Sequence, residues 1–179
     1  MWAALVALVT LAYPLAVYWG LGHWEPKYLA GLLVLVALLR AFGSRDPLWR
    51  VAAVGAALLA GVSMVGNAVL PLKLYPVLVN AVLFVVFQYS LRHPPTVIER
   101  LARLQEPNLP ESGVRYTRKV TIVWSVFFVV NGSIALGTAL WASDATWALY
   151  NGLIAYGLMG LLFAVEWLVR QRVRRGSPS

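Results

Sequence analysis

The chain contains no cysteine and only two histidines. Disulfides, thiolate metal sites and a cysteine nucleophile are therefore excluded, and two histidines cannot build a three-histidine zinc site. Acids are also scarce, with seven Asp and Glu against fifteen Lys and Arg in 179 residues. All charged residues together make up 12% of the chain, about half the share of an ordinary globular protein. No Ser-His-Asp set, paired acids, glycine-rich phosphate loop or zinc-ligand spacing is present. The sequence therefore offers no catalytic residue, metal site or cofactor motif.

Apolar side chains fill the rest. They make up 60% of the residues, and the mean hydropathy is +0.72. So much apolar surface must meet lipid rather than fold into one small core. The net charge of +8 would suit nucleic acid. The basic residues, however, sit beside hydrophobic runs, where membrane-orientation signals belong. Nucleic acid is set aside as a partner, and membrane lipid takes its place.

The expected fold class is an all-α membrane protein. It is a bundle of six transmembrane helices plus a short amphipathic interfacial helix, in a single transmembrane domain over 1–179. The spans fall at about 2–22, 28–42, 49–69, 74–91, 120–141 and 147–169. Residues 1–22 lack a basic n-region and are too long for a signal-peptide core, so they are read as a span. Span 2 is short: its fifteen residues reach about 22 Å against a core of roughly 30 Å. Lys27 and Arg40 stand at its ends, placed to snorkel. Span 3 repeats small residues every four positions, with Ala53, Ala57 and Gly61 on one face and Ala52, Ala56 and Ala60 beside it. Small residues let helices approach closely in lipid.

Between spans 4 and 5 lies the one long polar segment, from Arg92 to Lys119. Pro94 and Pro95 stop span 4. An interfacial helix is expected over about 96–106, with Val97, Ile98, Leu101 and Leu104 on one face. Glu99, Arg100, Arg103 and Glu106 take the other face, and Glu99 and Arg103 form an i,i+4 pair. Pro107 and Pro110 end it.

Charge sets the orientation. Arg40, Arg45 and Arg50 flank the second connection. Arg92, Arg100, Arg103, Arg115, Arg118 and Lys119 lie in the fourth, and Arg170, Arg172, Arg174 and Arg175 form the tail. Only Lys27 and Lys73 fall on the opposite side. The positive-inside rule puts the larger group in the cytoplasm. Six spans then bring both termini there, in a multi-pass protein of a bacterial inner membrane.

Three groups of residues are candidate sites. Asn67, Asn80, Asn131 and Asn151 form a polar intramembrane set. Amides in lipid must find partners, so the set is either helix-to-helix glue or the lining of a polar pocket. Glu166 is the one acid inside a span, near its basic end. Arg170 and Arg118 enter at similar depth, which suggests an interfacial ion pair. Arg100, Arg103, Arg115, Arg118 and Lys119 form a candidate cytoplasmic docking surface, with simple topology marking as the plainer account. Trp124, Phe127 and Phe128 follow helical spacing and are expected to pack the bundle.

Several stretches resemble one family of bacterial integral membrane proteins. They are Tyr75-Pro-Val-Leu-Val-Asn80, Ile98-Glu-Arg-Leu-Ala-Arg103, Leu109-Pro110 and Tyr116-Thr-Arg-Lys-Val-Thr121. Trp124, Phe127-Phe128, Asn131-Gly132 and Trp147-Ala-Leu-Tyr-Asn-Gly152 through Glu166 continue the pattern. Members of that family are encoded among genes for acyl carrier proteins, ketosynthases and acyltransferases, in fatty-acid or aryl-polyene-type clusters. Residues from about Pro76 to Trp147 are more distantly similar to the intracellular septation protein A family. The resemblance implies a process, envelope lipid or acyl-chain assembly, and carries over no catalytic residue. The expected function is a non-catalytic membrane accessory or scaffold, partnered by lipids and by acyl carrier protein or acyl-processing enzymes. A lipid or small-solute carrier using the amide set is the first alternative. A membrane enzyme acting on acyl lipids is the second, and a homo-oligomer is open.

Overall fold

The structure is a computed structural model that describes residues 13, 15–20, 23–25, 28–31, 47–66 and 69–175. Most of spans 1 and 2, and Asn67, lie outside the described residues. Every regular element among the described residues is helical. In chain order these are α1 (Pro47–Gly66), α2 (Leu70–Lys73), α3 (Tyr75–Arg92), α4 (Val97–Arg103), α5 (Glu111–Trp141) and α6 (Asp144–Leu149). A π-helical turn (Tyr150–Ile154) and α7 (Ala155–Arg175) complete the order. Residues 15–20 and 28–31 are also helical.

Three helical rods are long and apolar enough to cross a membrane: Leu70–Arg92, Glu111–Trp141 and Asp144–Gln171. A shorter apolar helix covers Val54–Ser63. These rods are the construction of a membrane protein, because an α-helix satisfies its backbone within itself where no water is available.

α3 and α5 pack most extensively, and the bundle is built around them. The expected span 5 began at residue 120, but α5 starts at Glu111. Its 31 residues extend about 46 Å, some 16 Å more than the roughly 30 Å hydrocarbon core. Pro110 supplies the extended residue before the first turn, so helix geometry starts as soon as proline permits it. The last nine residues of the expected polar connection are therefore a helical overhang carrying Arg115, Arg118 and Lys119.

The interfacial helix is shorter than expected, Val97–Arg103. Thr96 caps it: its hydroxyl accepts from the Glu99 backbone N–H, and the Glu99 carboxylate accepts from the Thr96 N–H. This reciprocal cap turns Glu99 inward, where it is buried, while Leu101 and Leu104 stay exposed. The face expected to be polar thus contributes a buried acid. Val97 and Ile98 pack inward as the apolar pattern required.

Two apolar clusters make the core. One joins Tyr13, Val17, Leu29 and Ala30 to Ala56, Ala60, Leu72, Tyr75, Ala139, Trp147 and Ala148. The other lies toward the arginine-rich end and contains Phe87, Val120, Trp124 and Phe128. Trp124, Phe127 and Phe128 make edge and tilted ring contacts at 5.6–5.9 Å, and Phe128 meets Phe87 at 5.0 Å. They are bundle packing, as their spacing indicated. On α1, Ala56, Ala60 and Ser63 are buried, whereas Ala57 and Gly61 of the expected close-packing face are exposed.

Candidate functional site

The amide node lies between the two clusters. Asn80 sits on α3, and its side-chain N–H donates back to the Pro76 carbonyl at 2.8 Å. That leaves its Oδ1 to accept from Asn131 Nδ2 on α5, at 3.1 Å. Asn131 Oδ1 in turn accepts from the Tyr150 hydroxyl at 2.9 Å. One chain of bonds therefore ties three helical rods. All three residues are buried.

Helix geometry explains the meeting. Gly132 presses on α3, and a Cβ there would lie 3.0 Å from the Cβ of Asn80. The missing side chain lets the two helices approach at the depth where their amides must reach each other.

Asn151 is near this chain but outside it. It donates to Thr138 Oγ1 at 3.2 Å and to the Trp147 carbonyl at 2.9 Å. Tyr150 and Asn151 are consecutive yet both buried against α5. The π-helical turn makes this possible, since its wider circuit shifts the register and the Ala155 N–H reaches back to the Tyr150 carbonyl. Trp147, one turn earlier, is fully buried, and its indole N–H donates to the Lys73 carbonyl at 3.1 Å. Lys73 itself is buried and pairs with Asp144.

A cavity of about 60 Å³ adjoins the node, lined by Tyr13, Tyr75, Asn80, Asn131, Asn151 and Tyr156 among others. This is room for a few waters, which need about 15 Å³ each. A larger apolar groove of about 300 Å³ runs between α5 and the last rod, with Asn131 and Tyr150 at its floor.

At the arginine-rich end, Glu166 takes its hydrogen bond from Tyr116. The Tyr116 hydroxyl lies 3.2 Å from the Glu166 carbonyl and 3.4 Å from its carboxylate. No ion pair joins Glu166 to Arg170 or Arg118 among the described residues. Arg118 instead donates to the Leu91 carbonyl at 2.9 Å, locking the overhang of α5 to the end of α3. The expected interfacial ion pair is thus replaced by a phenol bond and a separate arginine latch.

The candidate docking residues divide. Arg100, Arg115, Arg118 and Lys119 are exposed. Arg103 is not a free cation: it pairs with buried Glu99 at 2.8 Å and donates to the Pro107 carbonyl at 3.1 Å. The predicted Glu99–Arg103 pair is present, and it shapes the turn after α4. Arg115 pairs loosely with Glu111 at 3.5 Å, both highly exposed. Arg92 ends α3 and Arg170 lies near the end of α7, so basic residues of four elements gather at one end of the bundle.

Tyr116 and Tyr150 are the site residues that sequence reasoning passed over. Their signal was a phenol inside or beside an apolar span, which needs a hydrogen-bond partner. Among the described residues, no group of three His, Asp or Glu side chains is placed to hold a metal ion. The chain matches no protein-family model, no curated protein and no solved structure.

Proposed function

We propose that this chain is a non-catalytic accessory of a bacterial inner membrane, which docks an acidic acyl-carrier-type protein on a rigid basic platform. In this reading it crosses the bilayer six times, with both termini and the platform in the cytoplasm. The excess of arginine at one end supports that orientation. The resemblance of the stretch from about Leu70 to Arg170 to proteins encoded with acyl-processing enzymes supports the process, acyl-chain or envelope lipid assembly.

One observation carries the docking role. The cations Arg115, Arg118 and Lys119 stand on about 13 Å of helix, residues 111–119, ahead of the apolar span rather than in a loop. α4 packs against the overhang and adds Arg100. A fixed array of exposed charge steers and orients an oppositely charged partner, which scattered topology markers on a loop do not require.

The geometry supports this reading over a solute pathway. The amides bond to one another and to Tyr150 across helix interfaces, the smaller cavity beside them suits a few waters, and the larger groove beside Asn131 and Tyr150 is apolar.

The test is retention of an acidic acyl carrier protein by the detergent-solubilised chain. Replacing Arg100, Arg115 and Lys119 with Gln should weaken retention ten-fold or more, with the largest loss at low salt, and Arg118 is kept because it latches α5 to α3. Arg103 is left in place, because its removal would strand buried Glu99. Equal retention by both proteins, at matched folding, would overturn the docking role.

A further inference from the structure

We propose that the groove between α5 and α7 holds one hydrocarbon chain of an anionic lipid. This rests on the membrane-spanning reading, but not on carrier docking.

The groove's walls are Phe127, Val130 and Ile134 on α5, and Leu158, Leu161 and Val165 on α7. Its floor is polar but already satisfied, because Asn131 and Tyr150 bond to each other. It therefore presents hydrocarbon and asks for no hydrogen bond from an occupant. Above it toward the basic end, Tyr116 bonds to Glu166 and bridges the same two helices. The Tyr150–Asn131 and Tyr116–Glu166 bonds thus fix the helix separation at two levels and hold the groove open between them.

Size selects the occupant. From Leu158 to Val165 the wall is about 10 Å long by helical rise. A volume of about 300 Å³ over that length leaves a cross-section of about 30 Å². An α-helix about 10 Å across would rest over such a groove rather than enter it. The groove suits one extended chain. Within a bilayer, water does not fill such a space and lipid tails surround it.

Charge selects the head group. On α5 the groove face continues from Val130 and Phe127 through Val123 to exposed Lys119, at helical spacing. Arg115 stands one turn further on, and Arg170 lies on the facing helix. The acids here are Glu166, which Tyr116 holds, and Glu111, which pairs loosely with Arg115 and leaves Lys119 and Arg170 in excess. A chain lying in the groove would place its head group beside Lys119, in a field that favours a phosphodiester anion over a zwitterion.

The test is native mass spectrometry of the purified full chain with phosphatidylglycerol and phosphatidylcholine of equal chain length. The expected result is one retained phosphatidylglycerol, preferred several-fold. Leu158→Trp, which fills the groove, should reduce retention at least ten-fold; Ile134→Phe, from the opposite wall, should act in the same direction. Lys119→Glu is on the surface and leaves the fold intact, and it should bring the two lipids to near-equal binding. Undiminished retention in folded Leu158→Trp would overturn the proposal, and so would equal binding of both lipids by the unaltered chain. A disulfide-linked dimer formed through Leu158→Cys would overturn it too, by giving the groove to a second copy. Carrier retention is expected to survive Leu158→Trp, so failure here is distinguishable from failure of the docking role.

Discussion

Asn131 on α5 donates to Asn80 on α3 across 3.1 Å, joining residues 51 positions apart inside the apolar part of the bundle. Each amide has a second partner: the Pro76 carbonyl for Asn80 and the Tyr150 hydroxyl for Asn131. The bond is therefore the centre of a short polar chain, and neither end of it is left unpaired.

Its strength is measurable. Asn131→Ala removes the bonds to both Asn80 and Tyr150, and should destabilise the bundle by about 1–2 kcal/mol. Asn80→Ala should cost less, because Tyr150 keeps its partner. A double-mutant cycle on the two asparagines, read by unfolding in mixed micelles, should give a coupling of about 0.6 kcal/mol or more. Additive losses would show that the two amides do not stabilise one another.

Gly132 controls the same contact sterically. A Cβ at this position meets Asn80 Cβ at 3.0 Å, closer than side chains ordinarily pack. Gly132→Ala should push α3 from α5 by a few tenths of an ångström and cost about 1 kcal/mol, even though alanine favours a helix. Gly132→Leu should lower the melting temperature far more and prevent the Asn80–Asn131 bond. A Gly132→Ala protein more stable than the original would rule out close approach at this point.

The role of Glu166 can be separated from its charge. The Tyr116 hydroxyl reaches both its carbonyl and its carboxylate, and a glutamine oxygen accepts as well as a carboxylate oxygen. Glu166→Gln should therefore leave amide hydrogen exchange near residue 166 almost unchanged. Tyr116→Phe should speed it several-fold by releasing α7 from α5. The reverse order would restore the ion-pair account of Glu166.

Some of this was legible in the residues alone. The boundaries of span 4, read as 74–91, lie within one residue of α3 at Tyr75–Arg92, because prolines mark both ends. The Glu99–Arg103 pair followed from a spacing of four on a helix. The start of α5 did not follow, since hydropathy reports where lipid contact begins, whereas a helix begins where its backbone bonds can start. Val97, Ile98, Leu101 and Leu104 shared a face in the pattern; Val97 and Ile98 pack on the bundle and Leu101 and Leu104 stay exposed, while the burial of Glu99 by its reciprocal cap with Thr96 was not legible there.

By itself the sequence determined a helical, lipid-facing chain with its cations gathered between alternate hydrophobic runs. Those properties depend on residue type and on periodicity along one segment, so they are local and additive. Tertiary structure decided which polar groups meet. Asn80 had several possible partners in the apolar runs, and the close approach at Gly132 selected Asn131 for it. The extra residue in the Tyr150–Ile154 turn then brought Tyr150 to the same point. A hydrogen bond between helices depends on distances of a few tenths of an ångström set by packing far along the chain, and no local pattern encodes them.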